Sequence, residues 1–221
     1  MTQRARHFTR DYVEHATLRD GTPILLRLLR PEDKPRLRAG FETLSPESRY
    51  ARFLSPKRAL TDDELDYLCD IDQETHFAIG AQSRDAPGEP AGLGIARFIR
   101  LADPTIAEPA VTVADEVQGR GLGKLLLLRL CAAAVERGIE RFHCEVLGSN
   151  AGMAALLAEV APDRTIQVGQ GVMTIELVVP HVSASEPVIG PPPQGSLYRL
   201  FRAAAKNAIE WTEAVRKRWH R

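Results

Sequence analysis

Short apolar runs of the kind that form β-strands flank polar turns in the first half of the chain. Asp20-Gly21 is a pair that favours a tight hairpin turn, and a Pro/Gly-rich stretch at 85–90 separates a second pair of runs. Antiparallel pairing is expected across both turns. We therefore predict strands at 16–18, 23–28, 76–82 and 93–100.

Helix-start signals occupy the segment between these two strand pairs. Pro31 stands at a first helical position, with acidic residues beside it, so a helix is predicted to residue 44. Ser45-Pro46-Glu47 predicts a second, short helix. Thr61 and Glu64 have the spacing of a capping box, which predicts the start of a third.

The second half of the chain changes to a strand, helix, strand order. The β-branched run 111–113 leads into a polar turn, and an apolar segment of helical composition covers 122–137, where Gly138 ends it. A crossover helix makes the next strand parallel to the one before. We predict that strand at 141–147, a helix at 150–160 and a closing hairpin at 165–168 and 172–179. The fold class is α/β, with a mixed, mostly antiparallel sheet and helices on both faces.

The polar turn at 118–123 is rich in glycine and precedes a helix. Glycine lets a ligand approach the main chain closely, and the first helical turn leaves N–H groups free for an anion, with Arg120 and Lys124 adding charge. The Walker phosphate loop is excluded because Leu125, not Ser or Thr, follows Lys124. Alternating glycines exclude the dinucleotide fingerprint. A tight turn without a ligand stays open.

The hexapeptide Gln118-Gly119-Arg120-Gly121-Leu122-Gly123 resembles the Q/R-x-x-G-x-G/A pyrophosphate loop of the GNAT family of N-acetyltransferases. The resemblance extends over roughly residues 16–180. It implies the GNAT fold, with acetyl-CoA as cosubstrate, and it also matches Asn150 to a residue that contacts the pantetheine arm; Asn150 could equally be a helix N-cap. The implied acetyl-CoA contacts are Val111, Val113, Gln118, Gly119, Arg120, Gly121, Leu122, Gly123, Lys124 and Asn150.

Glu108 is the candidate catalytic base. An amine with a pKa near 10.4 is only about 0.1% neutral at pH 7.5, which adds roughly 4 kcal/mol to the barrier unless a carboxylate assists. GNAT enzymes place a glutamate at the start of the corresponding strand, and Glu108 is expected two residues before that strand. An ordinary loop glutamate is the alternative, and Pro109 makes the strand boundary uncertain.

The resemblance also implies an oxyanion-binding backbone N–H, for which Val113 is the candidate. Many family members use a tyrosine after the following strand as general acid, and this sequence has none there. Ser149 and His143 lie nearby instead. His143 is more often an ordinary strand histidine, and a CoA thiolate can leave without a proton donor.

Composition excludes several classes of protein. The 29 basic and 29 acidic residues cancel, so no nucleic-acid partner is expected. No apolar run reaches the roughly 18 residues of a membrane span, and the N-terminus lacks a signal peptide's apolar core. The three cysteines are far apart in sequence, which fits a reducing cytoplasm and a core role for Cys131.

Composition also divides the chain into four parts. Residues 1–14 are predicted to be a loosely held lead-in, 15–181 the GNAT domain and 182–195 a Pro/Gly/Ser linker. Residues 196–221 have helical apolar spacing and a net charge of +5, with seven basic residues against two acidic ones. This basic amphipathic helix is expected to pack on the domain or on a second subunit, as in a homodimer, or to contact a membrane surface.

The front segment, up to residue 79, is similar to bacterial protein-lysine acetyltransferases of the GNAT family. Seven acidic residues and no basic one lie between Asp62 and Glu74, which is either a solvated face or a field that attracts a cationic substrate. The expected function is acetyl transfer to a protein lysine by direct attack of the amine on the thioester. A small-amine acetyltransferase and a non-catalytic acyl-CoA-binding module remain alternatives.

Overall fold

The structure, a computed structural model, describes residues 6–84, 90–161, 163–169 and 171–182. The predicted linker and basic helix, apart from residue 182, lie outside the described residues. Each strand predicted from the sequence is present. The strands are β1 Val13–Thr17, β2 Pro23–Leu28, β3 His76–Ser83, β4 Gly92–Arg100, β5 Ile106–Val113, β6 Arg141–Leu147, β7 Arg164–Gly169 and β8 Val172–Val178.

The helices begin at the predicted caps. Thr61 Oγ1 accepts from Glu64 N, 3.2 Å away, and the Glu64 carboxylate accepts from Thr61 N at 2.9 Å, so both halves of the capping box form. Pro31 opens a single 3-10 turn that leads into the first helix. The α-helices are α1 Lys34–Thr43, α2 Pro46–Phe53, α3 Asp62–Cys69, α4 Leu122–Glu136 and α5 Ala151–Val160.

The eight strands form one sheet in the order β1-β2-β3-β4-β5-β6-β8-β7. Every neighbouring pair is antiparallel except β5 and β6, which the crossover helix α4 connects in parallel. Helix α4 contacts β3, β4 and β5, whereas α1 contacts β4 and lies with α3 on the opposite face. The mixed, mostly antiparallel sheet with helices on both faces is therefore confirmed.

The main core lies between the sheet and α4. Leu122, Leu126 and Leu130 are at most 1% exposed, and they pack against aromatic and aliphatic side chains from β2, β3, β4 and β6. Cys131 is buried in the same cluster, as expected. Arg129 interrupts the apolar run of α4. It is tolerated in the core because its guanidinium donates to the Glu14 carboxylate at 2.7 and 2.8 Å. No helix in the described part of the chain is long and apolar enough to cross a membrane.

The folded domain begins earlier than the sequence suggested. Phe8 and Tyr12, which fall in the predicted lead-in, are 1% and 5% exposed. Phe8 packs edge-on against Phe77, with ring centroids 6.3 Å apart, and the Phe8 N–H donates to Glu136 at the end of α4. Residues 6–14 are polar on average, so local composition did not reveal these long-range contacts.

Candidate active site

The two parallel strands at the centre of the sheet separate soon after they begin to pair. β5 and β6 pair at only two positions, Ile106 with Arg141 and Ala107 with Phe142. Both strands continue well beyond these pairs, to Val113 and to Leu147. An opening therefore divides the sheet along the rest of β5.

Pro109 indicates which backbone groups face this opening. Pro109 lies opposite Phe98 of β4 and has no N–H, so it fits a position that makes no hydrogen bond to β4. The even-numbered residues of this segment alternate with Pro109, Val111 and Val113, and one of them, Ala114, donates its N–H to Leu93 O at 2.9 Å. Alternation along the strand then directs the N–H groups of Val111 and Val113 away from β4 and into the opening. Both residues are thus positioned to donate to a ligand there.

The glycine-rich turn follows β5 and holds two glycines with positive φ. Gly119 has φ +75° and Gly121 has φ +93°, values that L side chains rarely adopt. Gly121 is the N-cap of α4, with no side chain to cap the helix, and the first helical bond is from Leu125 N to Gly121 O at 3.1 Å. The N–H groups of the first turn are consequently available to an anion.

The two cations of the turn are anchored by acids from other elements. Arg120 donates to Asp20 in the β1–β2 turn at 2.6 Å, and Lys124 donates to Glu159 of α5 at 2.6 Å. Arg19 N also donates to Arg120 O at 3.1 Å, so the β1–β2 turn packs on the glycine-rich turn. These contacts tie the turn to two neighbouring segments.

Asp115 connects the same turn to helix α2, and sequence reasoning missed it. The Asp115 carboxylate accepts from the Gln118 side chain at 2.8 Å and from Ser45 N at 2.6 Å, and it also accepts from the Ser48 hydroxyl. Gln118 donates in addition to Val113 O at 3.2 Å. Asp115 therefore orients the first residue of the hexapeptide. No local pattern marks an aspartate whose partners lie about 70 residues earlier.

Glu108 lies inside β5, not before it. The strand begins at Ile106, so the expectation that Glu108 precedes the strand is wrong; Pro109 does not end the pairing because its missing N–H is not needed by β4. Glu108 is exposed and lines a cavity of about 260 Å³ beneath α2 and α3. The cavity is also lined by Arg52, Phe53, Leu60, Glu64, Tyr67, Leu68, Arg97, Ile99 and Ala110.

The cavity contains charged groups that the sequence did not single out. Arg97 on β4 is 3% exposed, and one of its terminal nitrogens donates to Leu68 O at 3.1 Å and to His76 Nε2 at 3.0 Å. Burial, with repulsion from Arg52, lowers the pKa of Arg97 to about 10. Burial and the Arg97 charge lower the pKa of His76 to about 4, so His76 is neutral near pH 7.

The remaining candidates have ordinary structural partners. Asn150 is the N-cap of α5 and its side chain accepts from Met153 N at 3.0 Å. His143 lies opposite Glu176 of β8, with Nδ1 3.3 Å from the carboxylate. Ser149 is exposed in the turn before α5. Burial raises the pKa of the Cys131 thiol to about 12.

The acidic run at 62–74, which begins on α3, is largely neutralised. Five of its seven carboxylates pair with basic side chains, and Lys34 alone contacts Asp66 at 2.8 Å and Asp70 at 2.6 Å. Asp72 instead accepts from the backbone N–H groups of residues 74–76. The structure favours a solvated, ion-paired face over a field that attracts cations.

The chain is similar to known proteins in sequence and in fold. The family model "Acetyltransferase (GNAT) family" matches residues 41–160. Acetyltransferase PA5475 of Pseudomonas aeruginosa is 33% identical over 158 residues, which are 69% of this chain and 84% of that protein. Acetyltransferase Pat of Mycolicibacterium smegmatis is 34% identical over 169 residues, 75% of this chain, although the match spans only 48% of Pat. The crystal structure of the GNAT domain of S. lividans PAT superposes with a TM-score of 0.67 at 28% identity, covering 75% of this chain and 96% of that one.

Proposed function

The chain belongs to the GNAT acetyltransferase family, whose members use acetyl-CoA, and from this premise we propose that it acetylates a protein lysine with Glu108 as general base. The observation that carries the proposal is the position of Glu108. It lies on the strand that borders the opening in the sheet, and it faces a cavity large enough to admit an amine side chain.

Three parts of the chain would share the binding of acetyl-CoA. The N–H groups at the start of α4 and the glycine-rich turn would hold the pyrophosphate, and the opening beside β5 would hold the pantetheine arm. The thioester carbonyl would then lie near the N–H groups of Val111 and Val113. These donors would stabilise the oxyanion that forms during attack.

The reaction is a direct transfer with one proton to remove. Glu108 takes a proton from the ammonium group, and the neutral amine attacks the thioester carbonyl. The tetrahedral oxyanion collapses, the C–S bond breaks, and CoA leaves as a thiolate while the acetamide forms. The proton lost by the attacking nitrogen passes to solvent or to the thiolate.

The protein-lysine assignment rests on the front of the chain. The segment that resembles bacterial protein-lysine acetyltransferases includes α1, α2 and α3, and residues of α2 and α3 line the cavity that Glu108 also lines. A small amine is the second candidate because the cavity is partly enclosed. The two candidates differ in the size of the product.

Transfer of labelled acetyl from acetyl-CoA into a size-fractionated cell extract tests the proposal. We expect label in macromolecules with the wild-type chain and a loss of about 100-fold or more in Glu108→Gln. Glu140→Gln is the matched control, because Glu140 is exposed outside the cavity. Label confined to small molecules would favour the small-amine alternative. Absence of transfer while acetyl-CoA still binds would indicate a non-catalytic module.

A further inference from the structure

The cavity beside Glu108 holds two arginine side chains, one from α2 and one from β4. Arg52 belongs to the last turn of α2, and Arg97 lies on the sheet floor. Within the described residues neither guanidinium forms an ion pair with a carboxylate, and the Arg52 guanidinium lies 5.0 Å from the centroid of the Phe53 ring. Two arginines that share a cavity without an ion pair to an acid are unusual, because burying unpaired charge is costly.

The donors of Arg97 are only partly used by the protein. One terminal nitrogen serves Leu68 O and His76 Nε2, and both of these acceptors are neutral. The other nitrogens of Arg97 have no hydrogen-bond partner among the described residues, and they are not completely buried. They are therefore open to the cavity, from which a ligand can accept their hydrogen bonds.

Electrostatics indicate that the two arginines are close to each other. Burial lowers the pKa of Arg52, and Glu108 and Tyr67 only partly oppose that effect. The charge of Arg52 also helps to lower the pKa of Arg97. Both guanidiniums would be stabilised by an anion between them.

The acids that face this cavity do not supply that anion. Glu64 is held by Lys57 and by Thr61 N, at the rim. Glu108 forms no ion pair with either arginine, and it lies opposite Ile99 on β4, two residues from Arg97. This diagonal relation separates the two positions by roughly 7–8 Å. Glu108 is thus free to accept a proton from an amine, while the two arginines can bind an anion of the acceptor.

Resting on the proposed function, we propose that Arg52 and Arg97 bind a carboxylate that the acceptor carries within about 5–8 Å of its reactive amine. The carboxylate of a free amino acid such as lysine has this separation, and so does an acidic side chain next to a protein lysine. The arginines would act as a specificity subsite. They would select amines accompanied by a carboxylate from amines that stand alone.

Two pairs of acceptors test this subsite. Nα-acetyl-lysine and its amide differ only by a carboxylate, and the blocked peptides Gly-Lys-Glu-Gly and Gly-Lys-Gln-Gly differ only by an acidic side chain. We expect kcat/KM to favour the carboxylate member of at least one pair by about 10-fold. The pair that shows the preference identifies the source of the carboxylate.

Variants link the preference to the arginines. Arg52→Gln is expected to reduce the preference to about 2-fold or less, whereas Arg58→Gln, which removes an exposed charge outside the cavity, should keep it. Arg52 is the better target because Arg97 also supports α3 through Leu68 O. Equal rates within both pairs, or a preference that survives Arg52→Gln, would overturn the subsite.

A binding measurement separates this inference from the proposed function. If no acceptor is acetylated, the proposed function fails, and calorimetric binding of the same acceptors to the protein with CoA then decides the subsite alone. Tighter binding of the carboxylate members, lost in Arg52→Gln, would support it. Equal binding would contradict it.

Discussion

Substitution of Gly121 in the glycine-rich turn should be far more costly than substitution of Gly123, although both residues belong to the hexapeptide. Gly121 has φ +93°, whereas no positive φ occurs at Gly123. A Cβ at Gly121 would come no closer than 3.4 Å to the Arg19 side chain, so the penalty for Gly121→Ala is one of backbone conformation. That penalty is about 1–2 kcal/mol.

The penalty of Gly121→Ala can appear in two measurable quantities. If the turn keeps its shape, the free energy of unfolding falls by about 1–2 kcal/mol; if the turn relaxes, the same energy is lost from acetyl-CoA binding, and Kd rises about 5- to 30-fold. Urea unfolding and calorimetric titration with acetyl-CoA measure the two parts. We expect their sum to be about 1–2 kcal/mol.

Gly123→Ala is the matched control within the same turn. A Cβ there would lie 3.6 Å from Leu156 and 3.7 Å from Val113, which is ordinary contact, and alanine is favoured in a helix by about 0.5–1 kcal/mol. We expect unchanged or increased stability and unchanged affinity. This agrees with the Gly or Ala that the GNAT loop pattern allows at that position. Equal losses in both variants, or none in Gly121→Ala, would refute the conformational argument.

Two further predictions concern stability. A Cβ in Gly94→Ala would lie 3.0 Å from Thr112 O, so the free energy of unfolding in urea should fall by about 1–3 kcal/mol, and an unchanged value would contradict the packing. The pKa of His76 is about 4 in the folded chain and 6.5 in the unfolded chain. Between pH 4 and pH 6.5 the unfolded chain therefore binds more protons, so the free energy of unfolding falls as the pH falls from 6.5 to 4. His76→Gln should flatten this slope in urea unfolding, and an unchanged slope would contradict the burial of a neutral His76.

Much of the fold could be predicted because its signals are local. The capping box at Thr61 and Glu64 forms as expected, and Gly138 adopts φ +72° at the end of α4. The predicted strand at 141–147 has the same bounds as β6. Each of these features depends on residues a few positions apart, for which the physical preference is strong.

The start of β5 was harder to predict because it depends on contacts between residues that are distant in the sequence. Pro109 usually argues against a strand interior, but the pairing with β4 leaves its missing N–H on the open side of the sheet. Which side of a strand is open is a property of the whole sheet. The strand boundary, and with it the place of Glu108, was therefore not visible from nearby residues.

The groups that surround Glu108 could not be predicted from the sequence. Arg52 and Arg97 come from a helix and a strand that are distant in the chain, and nothing in either local pattern indicates a shared cavity. Asp115 is similar, because its partners Ser45 and Ser48 belong to α2. Tertiary contacts of this kind require the fold before they can be recognised.

The most direct test of the central claim compares acetyl transfer with acetyl-CoA affinity in Glu108→Gln, across a range of pH. We expect a rate at pH 7.5 about 10²- to 10⁴-fold lower than in the wild-type chain, with the Kd for acetyl-CoA nearly unchanged. The remaining rate should rise about tenfold per pH unit, because the amine must then lose its proton unaided. A variant that transfers acetyl at the wild-type rate would contradict the assignment of Glu108 as general base.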